Sequence, residues 1–583
     1  MGRGIAFASG LLGCCKLAQV TVSPVEPASY AALMEGSDTM TPGTPAPWHW
    51  LQPPAAHHQR YAASGDWLGR TVGDFARERA ERDPDAPVFL DSPEPATYAS
   101  LVEDGEALAA ALIDAGLVAG DVVAFQVPNW HEAAIINLAA AFGGFVVNPI
   151  VPIYRDAEVT QMLGDCGARV FFHLDSFRGY DFGAMVERVR PRLPRLALTF
   201  PVRSGDDWPR LLAAGRGRAD RLPQVDPQGV KMVLYTSGTT GRPKGVLHSH
   251  DTLTRAMIVS TRHWGIAEGD TILMPSPVTH VSGYANGLEL PFVVGTRTVL
   301  MESWNATDAI ALIERHKVRG TVAATPFLQE LVAQARTSAT HLPSLSVFAC
   351  GGAAVPAEVL RDANAWFGAT VAFRAFGASE VPLVTAGYPH DAERAASTDG
   401  EVIDYEVCVV DDAGRDLPPG AEGEILARGP AMFIGYADEA QTHEAIDADG
   451  YFRTGDLGTV TADGALVVTG RKKDLIIRGG ENISAKEIED VLSRHPAIIE
   501  AAVVAMPHPR LGEGICAYLV VAGETPGFEE VAAFVAASGL APQKRPERIE
   551  LVDALPRTAA GKVRKDVLRR MIDDAVAGAG GPA

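Results

Sequence analysis

The stretch VKMVLYTSGTTGRPKG, residues 230–245, joins an apolar run to a loop rich in glycine and hydroxyl residues. The run Met232–Tyr235 predicts a buried strand, because continuous apolar residues are typical of strands that are covered on both faces. Glycines let the backbone approach a ligand closely, and hydroxyls, free backbone N–H groups and the Lys244 ammonium suit an anion. The composition predicts a phosphate-binding loop, although not a Walker loop, because Gly245 follows Lys244 where Ser or Thr would be required. A flexible surface loop is the alternative, and the buried strand directly before it disfavours that interpretation.

Helices and strands alternate on both sides of this loop. Amphipathic stretches such as Val72–Arg82 and Ala357–Trp366 are separated by short apolar runs such as Thr271–Met274 and Val347–Cys350. This alternation predicts an α/β fold with a mostly parallel, helix-covered sheet. After Gly387 the pattern becomes all-β, and beyond it a compact α+β segment follows. We therefore expect an irregular N-terminal extension over 1–70, a large domain with a β subdomain over 71–470, a hinge over 471–474, a small α+β domain over 475–576 and a disordered tail over 577–583.

Composition excludes several classes of protein. The 583 residues carry 51 Lys and Arg against 72 Asp and Glu, a net charge of −21, so a general nucleic-acid or anionic-membrane binder is disfavoured. Six cysteines are too few for a disulfide framework and show no zinc spacing, which favours a reducing, cytoplasmic location. The most apolar stretch, Ala133–Pro152, is interrupted by polar residues and glycines, so it predicts a buried helix, a glycine turn and a strand rather than a membrane span.

The amino terminus allows two interpretations. Arg3 precedes a short apolar run, Ile5–Gly13, and the run ends at Cys14 in a manner that faintly resembles a bacterial lipoprotein cleavage box. The charged region is minimal and the apolar run is short, and Met40 stands just before the Pro-rich segment that leads into the first patterned region. An over-long start or a disordered extension is therefore favoured over export.

Four further segments give weak signals when each is taken alone, and the signal comes from their occurrence together along one chain. FGASE, residues 376–380, follows an apolar strand, and YFRTGDLG, residues 451–458, would by itself be a turn between strands. GRKKDLII, residues 470–477, would be a solvated basic loop, and PRTAAGKVRK, residues 556–565, places a lysine in a glycine turn near the C-terminus. Together with the phosphate-type loop they make five ordered motifs, which coincidence does not readily supply.

These five segments resemble the motifs of the adenylate-forming superfamily, which includes acyl-CoA synthetases, adenylation domains of peptide synthetases and luciferases. The resemblance covers about Thr71 to Leu568, nearly the whole patterned chain. It implies that the C-terminal domain is mobile. The region from Met274 to Ser303 looks most like cyclohexanecarboxylate-type or medium-chain acyl-CoA ligases.

The resemblance implies a nucleotide site built from several motifs. Phe376 stands where relatives have Tyr against adenine, Asp456 is the candidate acceptor for the ribose hydroxyls, and Arg471 would bind ribose or phosphate through its forked donors. The implied nucleotide-binding or coenzyme-binding residues are Thr236, Ser237, Gly238, Thr240, Gly241, Lys244, Gly352, Ala353, Ala354, Phe376, Gly377, Ala378, Ser379, Asp456, Arg471, Gly479 and Gly480.

It also implies the catalytic residues. Lys562 matches the catalytic lysine, Glu380 and Thr239 match the positions that hold Mg²⁺, and His280 matches a position near the acyl carboxylate. A hydrogen-bonded loop histidine is the alternative for His280. Lys473 lies at the hinge position, where many relatives have Asp. The acyl pocket is expected from Val278 to Leu288, Thr325 to Phe327 and Gly351 to Ala353.

The implied reaction is the ATP-dependent activation of an alicyclic, aromatic or medium-chain carboxylic acid as acyl-AMP, followed by transfer to coenzyme A. ATP, Mg²⁺ and coenzyme A are the implied cofactors and co-substrates, with no nucleic acid and no membrane span. Two alternatives stay open: an acyl-AMP ligase that loads a separate carrier protein, and a non-catalytic adenylate-binding protein. A homodimer is also left open.

Overall fold

The computed structural model describes Trp48 and residues 55–90, 96–236, 243–352, 355–523, 525–558 and 561–579. Within these ranges the chain forms two seven-stranded sheets, two five-stranded sheets and one short ribbon, Ser176–Phe177 with Tyr180–Asp181. Helices connect the strands of the two larger sheets, so the predicted α/β class is confirmed.

The first seven-stranded sheet contains six parallel strands and one antiparallel edge strand. Two of its strands, Thr271–Met274 and Val347–Cys350, have the bounds that the apolar runs predict, because each run is fully buried and ends at a turn. Four neighbouring strands end at one edge, where ligand sites of open α/β sheets form. In sheet order the strands are Ala372–Arg374, Val347–Cys350, Gly320–Ala323, Thr271–Met274, Arg297–Leu300, Pro87–Leu90 and Ala96–Thr97.

The second seven-stranded sheet carries the strand that begins the phosphate-type loop. Met232–Thr236 pairs in parallel with one neighbour and antiparallel with Lys244–His248, and Lys244 lies directly opposite Thr236. The loop between these two strands therefore begins and ends at residues that face each other across the sheet. In sheet order the strands are Gly435–Tyr436, Lys244–His248, Met232–Thr236, Val146–Pro149, Val122–Gln126, Val170–His173 and Leu198–Pro201.

The third sheet is antiparallel throughout, as the change of pattern after Gly387 predicts. It places Asp456 opposite Arg471 on neighbouring strands. In sheet order its strands are Gly400–Glu401, Ala465–Arg471, Phe452–Val460, Gly423–Arg428 and Glu406–Val410.

The fourth sheet lies within 475–551 and buries its own apolar cluster. The short 3₁₀ helix Lys472–Asp474 joins it to the third sheet. The strands are Glu481–Ser484, Leu475–Arg478, Gly512–Val521 and Ile498–His508 in sheet order, with Arg548–Leu551 parallel to Gly512–Val521.

Helix ends follow local capping chemistry. The Thr71 hydroxyl accepts from the Asp74 amide while the Asp74 carboxylate accepts from the Thr71 amide, a capping box that begins the next helix. Gly144, with a φ of 69°, ends another helix in the left-handed conformation that glycine permits. The α-helices are Ala55–Ser64, Val72–Arg82, Tyr98–Asp114, Glu132–Gly143, Asp156–Asp165, Phe182–Val189, Asp207–Gly215, His250–Trp264, Val281–Gly283, Leu290–Val293, Ala306–His316, Thr325–Thr337, Ala357–Phe367, Ala392–Ser397, Glu439–Ala445, Ala485–Leu492, Phe528–Ala537 and Lys565–Ala579, with a π-helix over Tyr284–Glu289 and further 3₁₀ turns at Arg190–Arg192, Ala219–Arg221 and Pro542–Lys544.

Both ends of the described chain are more regular than the sequence indicates. Ala55–Ser64 is helical within the segment expected to be irregular, and the Trp67 indole donates to the Pro430 carbonyl at 2.8 Å. The last helix runs to Ala579, into the expected tail, because its apolar face packs on the fourth sheet through residues such as Leu568. The apolar run at Ile5–Gly13 lies outside the described residues. Nowhere in the described ranges is a helix both long and apolar enough to cross a bilayer.

Candidate active site

One cavity lies at the edge where four parallel strands of the first sheet end. Its empty space measures about 1030 Å³, counting the part open to solvent. The strand ends form one wall, the helix His250–Trp264 forms another, and Lys562 enters from the C-terminal part of the chain. The lining residues are Ala256, Met257, Ser260, Trp264, Ser276, Pro277, His280, Val281, Ser282, Ala285, Asn286, Val322, Ala323, Ala324, Phe327, Ala349, Gly351, Gly352, Ala375, Phe376, Gly377, Ala378, Ser379, Pro382, Leu383 and Lys562.

Glycines allow the chain segments that follow two of these strands, Val347–Cys350 and Ala372–Arg374, to pack closely. A side chain at Gly351 would place its Cβ 2.7 Å from the Ala375 carbonyl oxygen, and one at Gly377 would place it 2.5 Å from the Pro382 oxygen. Both positions therefore require glycine. Gly352, with a φ of 78°, turns the backbone beside them and also lines the cavity. Ala353 and Ala354, expected in the same wall, lie outside the described residues.

The FGASE segment is fixed by backbone hydrogen bonds on both sides. The Phe376 amide donates to the Thr385 hydroxyl at 3.0 Å, and the ring is buried at the cavity. The Ser379 carbonyl is 2.7 Å from Nε2 of the buried His248, which acts as the donor. Phe376, Gly377, Ala378 and Ser379, all expected in the nucleotide site, line the cavity.

Glu380 is held by a tyrosine that sequence reasoning missed. The Tyr436 hydroxyl donates to Glu380 Oε1 at 2.8 Å, and the Lys244 ammonium lies 4.8 Å from the centre of the Tyr436 ring. Burial, and then the Glu380 charge, raises the pKa of Tyr436 well above its usual value, so the hydroxyl stays a donor. Tyr436 thus joins the strand that contains Lys244 to the candidate metal-binding carboxylate.

The phosphate-type loop is described only at its two ends. Thr236 closes one strand and Lys244 opens the next, directly opposite it. The expected binding residues Ser237, Gly238, Thr239, Thr240 and Gly241 lie outside the described residues.

Asp456 and Arg471 form an ion pair across two antiparallel strands. The guanidinium Nε lies 2.7 Å from Asp456 Oδ1, and Asp456 is 3% exposed. Burial raises the pKa of Asp456, and the Arg471 charge opposes that shift. The Thr454 hydroxyl accepts from the Asp456 amide at 3.0 Å and fixes the turn. Asp456 and Arg471, the residues expected to bind the ribose, are not among those that line the cavity.

Lys562 reaches the cavity on a turn that is closed by its own hydrogen bonds. Its amide donates to the Thr558 hydroxyl at 3.1 Å, and the Thr558 amide donates to the Lys562 carbonyl at 2.8 Å. Gly561, with a φ of 82°, makes the turn possible. A Cβ built on Gly352 would lie 3.4 Å from Lys562 Cε, which brings the C-terminal turn against the strand-end wall.

Positive and negative side chains both act on the Lys562 ammonium. Burial, and then the Arg471 charge, lowers its pKa to about 8, while Asp456 and Glu380 oppose the shift. His280, which lines the same cavity, has its pKa lowered to about 3 by burial and by Lys562. His280 is therefore a neutral imidazole at neutral pH, and its Nδ1 accepts from the Ser282 amide at 3.5 Å.

The hinge segment is anchored to the last helix. Arg569 donates to the Lys473 carbonyl at 3.2 Å and forms an ion pair with Asp474 at 2.6 Å. Burial and the nearby Arg471 charge lower the pKa of Lys473. Gly479 and Gly480 form a two-residue hairpin loop with φ values of 61° and 89°. This loop does not line the cavity, and the Gly479 amide donates to the Leu511 carbonyl at 2.9 Å.

The acyl end of the cavity differs in part from the prediction. Val281, Ala285 and Asn286 line it, but Val278 and Leu288 of the same segment are buried and do not line it. Phe327 lines it, whereas its predicted neighbours Thr325 and Pro326 do not. One face of the helix His250–Trp264 also lines the cavity, and it was not predicted from the sequence. Its small and apolar residues recur at helical spacing, which is the one sequence signal that could have indicated this face. The residues are Ala256, Met257, Ser260 and Trp264.

A divalent metal would find few protein ligands here. No group of three His, Cys, Asp or Glu side chains that could hold a metal occurs within the described ranges. Mg²⁺ usually takes one or two carboxylates and completes its shell with water and phosphate oxygens. Glu380 makes one side-chain hydrogen bond among the described residues, through Oε1, so it fits that limited role.

Comparisons with known proteins identify the family of this chain. Residues 76–437 match the family model described as AMP-binding enzyme, and 487–562 match the AMP-binding enzyme C-terminal domain. The medium-chain fatty-acid–CoA ligase of Escherichia coli (strain K12) is 34% identical over 531 residues, which cover 88% of this chain and 93% of that protein. The 2,3-dihydroxybenzoate-AMP ligase of Bacillus subtilis (strain 168) is 32% identical over 521 residues, 88% of this chain and 96% of that protein.

Solved structures of similar fold point to the same family. ATP-bound MatB from Rhodopseudomonas palustris superposes with a TM-score of 0.79 at 27% identity, covering 87% of this chain and 100% of that one. The matched family model spans more than half of the chain, and its match ends at the strand that holds Tyr436. The chain therefore belongs to the AMP-binding enzyme family and is an AMP-forming acid–thiol ligase.

Proposed function

We propose that this enzyme converts a monocarboxylic acid with an uncharged, apolar tail into its acyl-AMP and then into its coenzyme A thioester. The observation that carries the proposal is the position of Lys562, which a C-terminal turn places in the same cavity as Phe376 and Gly352. A mobile cation that meets a nucleotide-type wall and an apolar pocket is suited to joining an acid to AMP.

In the first half-reaction, a carboxylate oxygen of the acid attacks the α-phosphorus of ATP and pyrophosphate leaves. Such chemistry depends on positioning and charge neutralisation more than on covalent help from the protein. We assign the neutralisation to Lys562 and Lys244, the adenine contact to Phe376, and the ribose hydroxyls to Asp456. The Arg471 guanidinium opposes the rise that burial causes in the pKa of Asp456, and its ion pair with the carboxylate would orient Asp456 for that role.

We propose Glu380 as the carboxylate that holds Mg²⁺ together with ATP. Its Oε1 is oriented by Tyr436, and hydrogen-bonded carboxylates are typical metal ligands because their geometry is fixed in advance. When bound, the metal would neutralise phosphate charge during attack.

In the second half-reaction, the thiol of coenzyme A attacks the acyl carbonyl and AMP leaves. The Gly479–Gly480 hairpin lies away from the cavity in this arrangement, while Lys562 lies in it. We propose that the C-terminal piece rotates about Lys473 so that the hairpin replaces Lys562 at the cavity. The hydrogen bond from Arg569 to Lys473 and its ion pair with Asp474 would keep the last helix attached to the hinge as the C-terminal piece rotates.

The pocket favours an apolar acyl tail. Lys562 is the one side chain with a full charge among the described lining residues, since His280 is neutral. Three polar side chains that line the cavity donate to backbone carbonyls: Ser260 to Met257, Trp264 to Ala386 and Asn286 to Ser282. A second carboxylate on the acid would therefore be buried without a partner, at a substantial desolvation cost.

A pyrophosphate-release screen tests this proposal. The purified enzyme with ATP and Mg²⁺ should release pyrophosphate with straight-chain, alicyclic or aryl monocarboxylates. Dicarboxylates of matched length should react at least about tenfold less well, since an unpaired buried charge costs more than 1.4 kcal/mol. Equal rates with the dicarboxylates would contradict the tail assignment.

The thiol acceptor needs a separate measurement. Thioester formation with free coenzyme A supports the proposal, whereas activity only with a carrier-protein thiol would favour the carrier-loading alternative. Relatives include both kinds, since one is named an indoleacetate–CoA ligase and another a salicyl-AMP ligase and salicyl-S-ArCP synthetase. A cytoplasmic location and a homodimer stay predictions, which fractionation of the source cells and light scattering would test.

A further inference from the structure

The acyl wall, the segment Val281–Val293 that borders the cavity, contains a π-helical turn over Tyr284–Glu289. The Leu290 amide donates to the Ala285 carbonyl, five residues back rather than four. Such turns are rare and frequently occur at functional sites. Here the turn precedes Pro291, which has no N–H and would collide with the carbonyl four residues earlier in a regular α-helix.

The π turn separates two faces of the acyl wall. Ala285 and Asn286 line the cavity. Tyr284 and Glu289 point the other way and are 0% and 1% exposed. In an α-helix, positions five apart lie about 140° apart around the axis, so the π turn is what lets Tyr284 and Glu289 share one face.

Both of these buried side chains contact one asparagine. The Asn137 amide donates to Glu289 Oε1 at 3.0 Å, and the Asn137 carbonyl oxygen accepts a short hydrogen bond from the Tyr284 hydroxyl. Asn137 lies at the middle of the buried helix Glu132–Gly143 and is itself 0% exposed. Its amide group thus bridges the two ends of the π turn.

A buried ion pair completes the cluster. Lys231, 3% exposed, pairs with Glu289, and its ammonium lies 5.2 Å from the centre of the Tyr284 ring. Lys231 directly precedes the strand Met232–Thr236, which leads into the phosphate-type loop. The cluster therefore connects the acyl wall to the strand that begins the nucleotide site.

We propose that Asn137, Lys231, Tyr284 and Glu289 form a positioning cluster that sets the acid selectivity of this enzyme. None of the four lines the cavity, so they act through the acyl wall. By fixing the π turn from behind, they set how far Ala285 and Asn286 project into the space for the acyl tail. A regular α-helical turn would rotate these residues and reshape the pocket. The inference rests on the proposed function, because it concerns the same acyl pocket.

The test uses two variants of the full-length enzyme. Tyr284→Phe removes the hydroxyl but keeps the ring. The double variant Lys231→Met with Glu289→Gln removes both charges together, because loss of only one would leave a buried charge unpaired. Tyr518→Phe is the matched control, since Tyr518 is equally buried and donates to the Leu568 carbonyl, far along the chain in the C-terminal part.

The measured quantity is the ratio of kcat/KM for a short and a long acid, such as hexanoate and decanoate or the best such pair from the pyrophosphate screen. This ratio does not depend on the fraction of folded enzyme, so a merely structural role would leave it unchanged. We expect the ratio to change by roughly tenfold in both cluster variants, because one methylene in an apolar pocket is worth about 10–200-fold. The KM for ATP should stay near the wild-type value.

A ratio within twofold of wild type in a folded Tyr284→Phe enzyme would overturn the proposal, as would an equal change in Tyr518→Phe. Should the double variant not fold, Tyr284→Phe alone decides. Failure of the proposed function would look different: the wild-type enzyme itself would release no pyrophosphate with any acid.

Discussion

Replacing Lys562 by alanine should separate the two half-reactions. The ammonium is the one full charge on the described cavity lining, and its turn is held by Thr558 and Gly561 rather than by its own side chain. The substitution should therefore remove the charge and leave the turn in place. Adenylation needs that charge, whereas attack of a thiol on preformed acyl-AMP does not.

The magnitude follows from what a single preorganised cation supplies in a buried site. Loss of one donor aimed at developing charge costs about 10²–10³-fold in rate, or about 2.7–4 kcal/mol. Stability should not fall, because burial lowers the pKa of Lys562 to about 8 and so disfavours the charged form in the folded chain. Unfolding binds a proton between pH 8 and the ordinary lysine pKa, so wild-type stability rises with pH there and that of Lys562→Ala does not.

The assay measures each half-reaction separately. Pyrophosphate release reports adenylation, and thioester formation from supplied acyl-AMP and coenzyme A reports the second half. Lys565→Ala is the matched control, because Lys565 follows the same turn but pairs with Glu489 at 2.7 Å and does not line the cavity. Equal losses in both half-reactions for Lys562→Ala, or an equal adenylation loss for Lys565→Ala, would refute the reasoning.

Three further results are expected. The Lys562 ammonium is lost as pH rises through about 8, so kcat/KM for ATP should fall about tenfold per pH unit above that value, and a flat profile to pH 9.5 would count against the role. Asp456→Asn should raise the KM for ATP about 10–100-fold, since a hydrogen bond to a charged group is worth about 1.5–3 kcal/mol, and an unchanged KM would remove the ribose assignment. Glu380→Gln should raise the Mg²⁺ concentration that gives half-maximal rate. Tyr436→Phe, which removes the hydrogen bond to Glu380, should raise it about tenfold. Superimposable magnesium titrations for wild type and both variants would show that Glu380 does not bind the metal.

The sequence predicted the parallel sheets well because their strands are continuous buried runs between clear turns. Thr271–Met274 and Val347–Cys350 were predicted with the observed bounds. Lys562 and Phe376 were identified as site residues by resemblance, and the structure brings both to one cavity. Such motifs are local in the chain, so a single sequence reveals them.

The missed features depend on tertiary placement. Tyr436 lies 56 residues from Glu380, and nothing in its own segment indicates that contact. The π turn over Tyr284–Glu289 is contacted by Asn137, which lies about 150 residues earlier in the chain, and the helical pattern of the segment gives no sign of it. The pocket face at Trp264 was readable as helical periodicity, but periodicity alone does not say which cavity a face borders.

A reversible lock on the C-terminal turn tests the central claim most directly. A Cβ added at Gly561 would lie 3.2 Å from the Ala324 Cβ, slightly less than the separation usual across a disulfide, so Ala324→Cys with Gly561→Cys brings two thiols within bonding reach beside Lys562. Because the Gly561 φ of 82° strains any other residue, the reduced double variant is the reference, and it must release pyrophosphate before the lock is closed. The oxidised enzyme should still form one equivalent of acyl-AMP but lose thioester formation, and reduction should restore it. An oxidised, fully cross-linked enzyme that makes thioester as fast as the reduced one would contradict the proposed exchange of Lys562 for the Gly479–Gly480 hairpin.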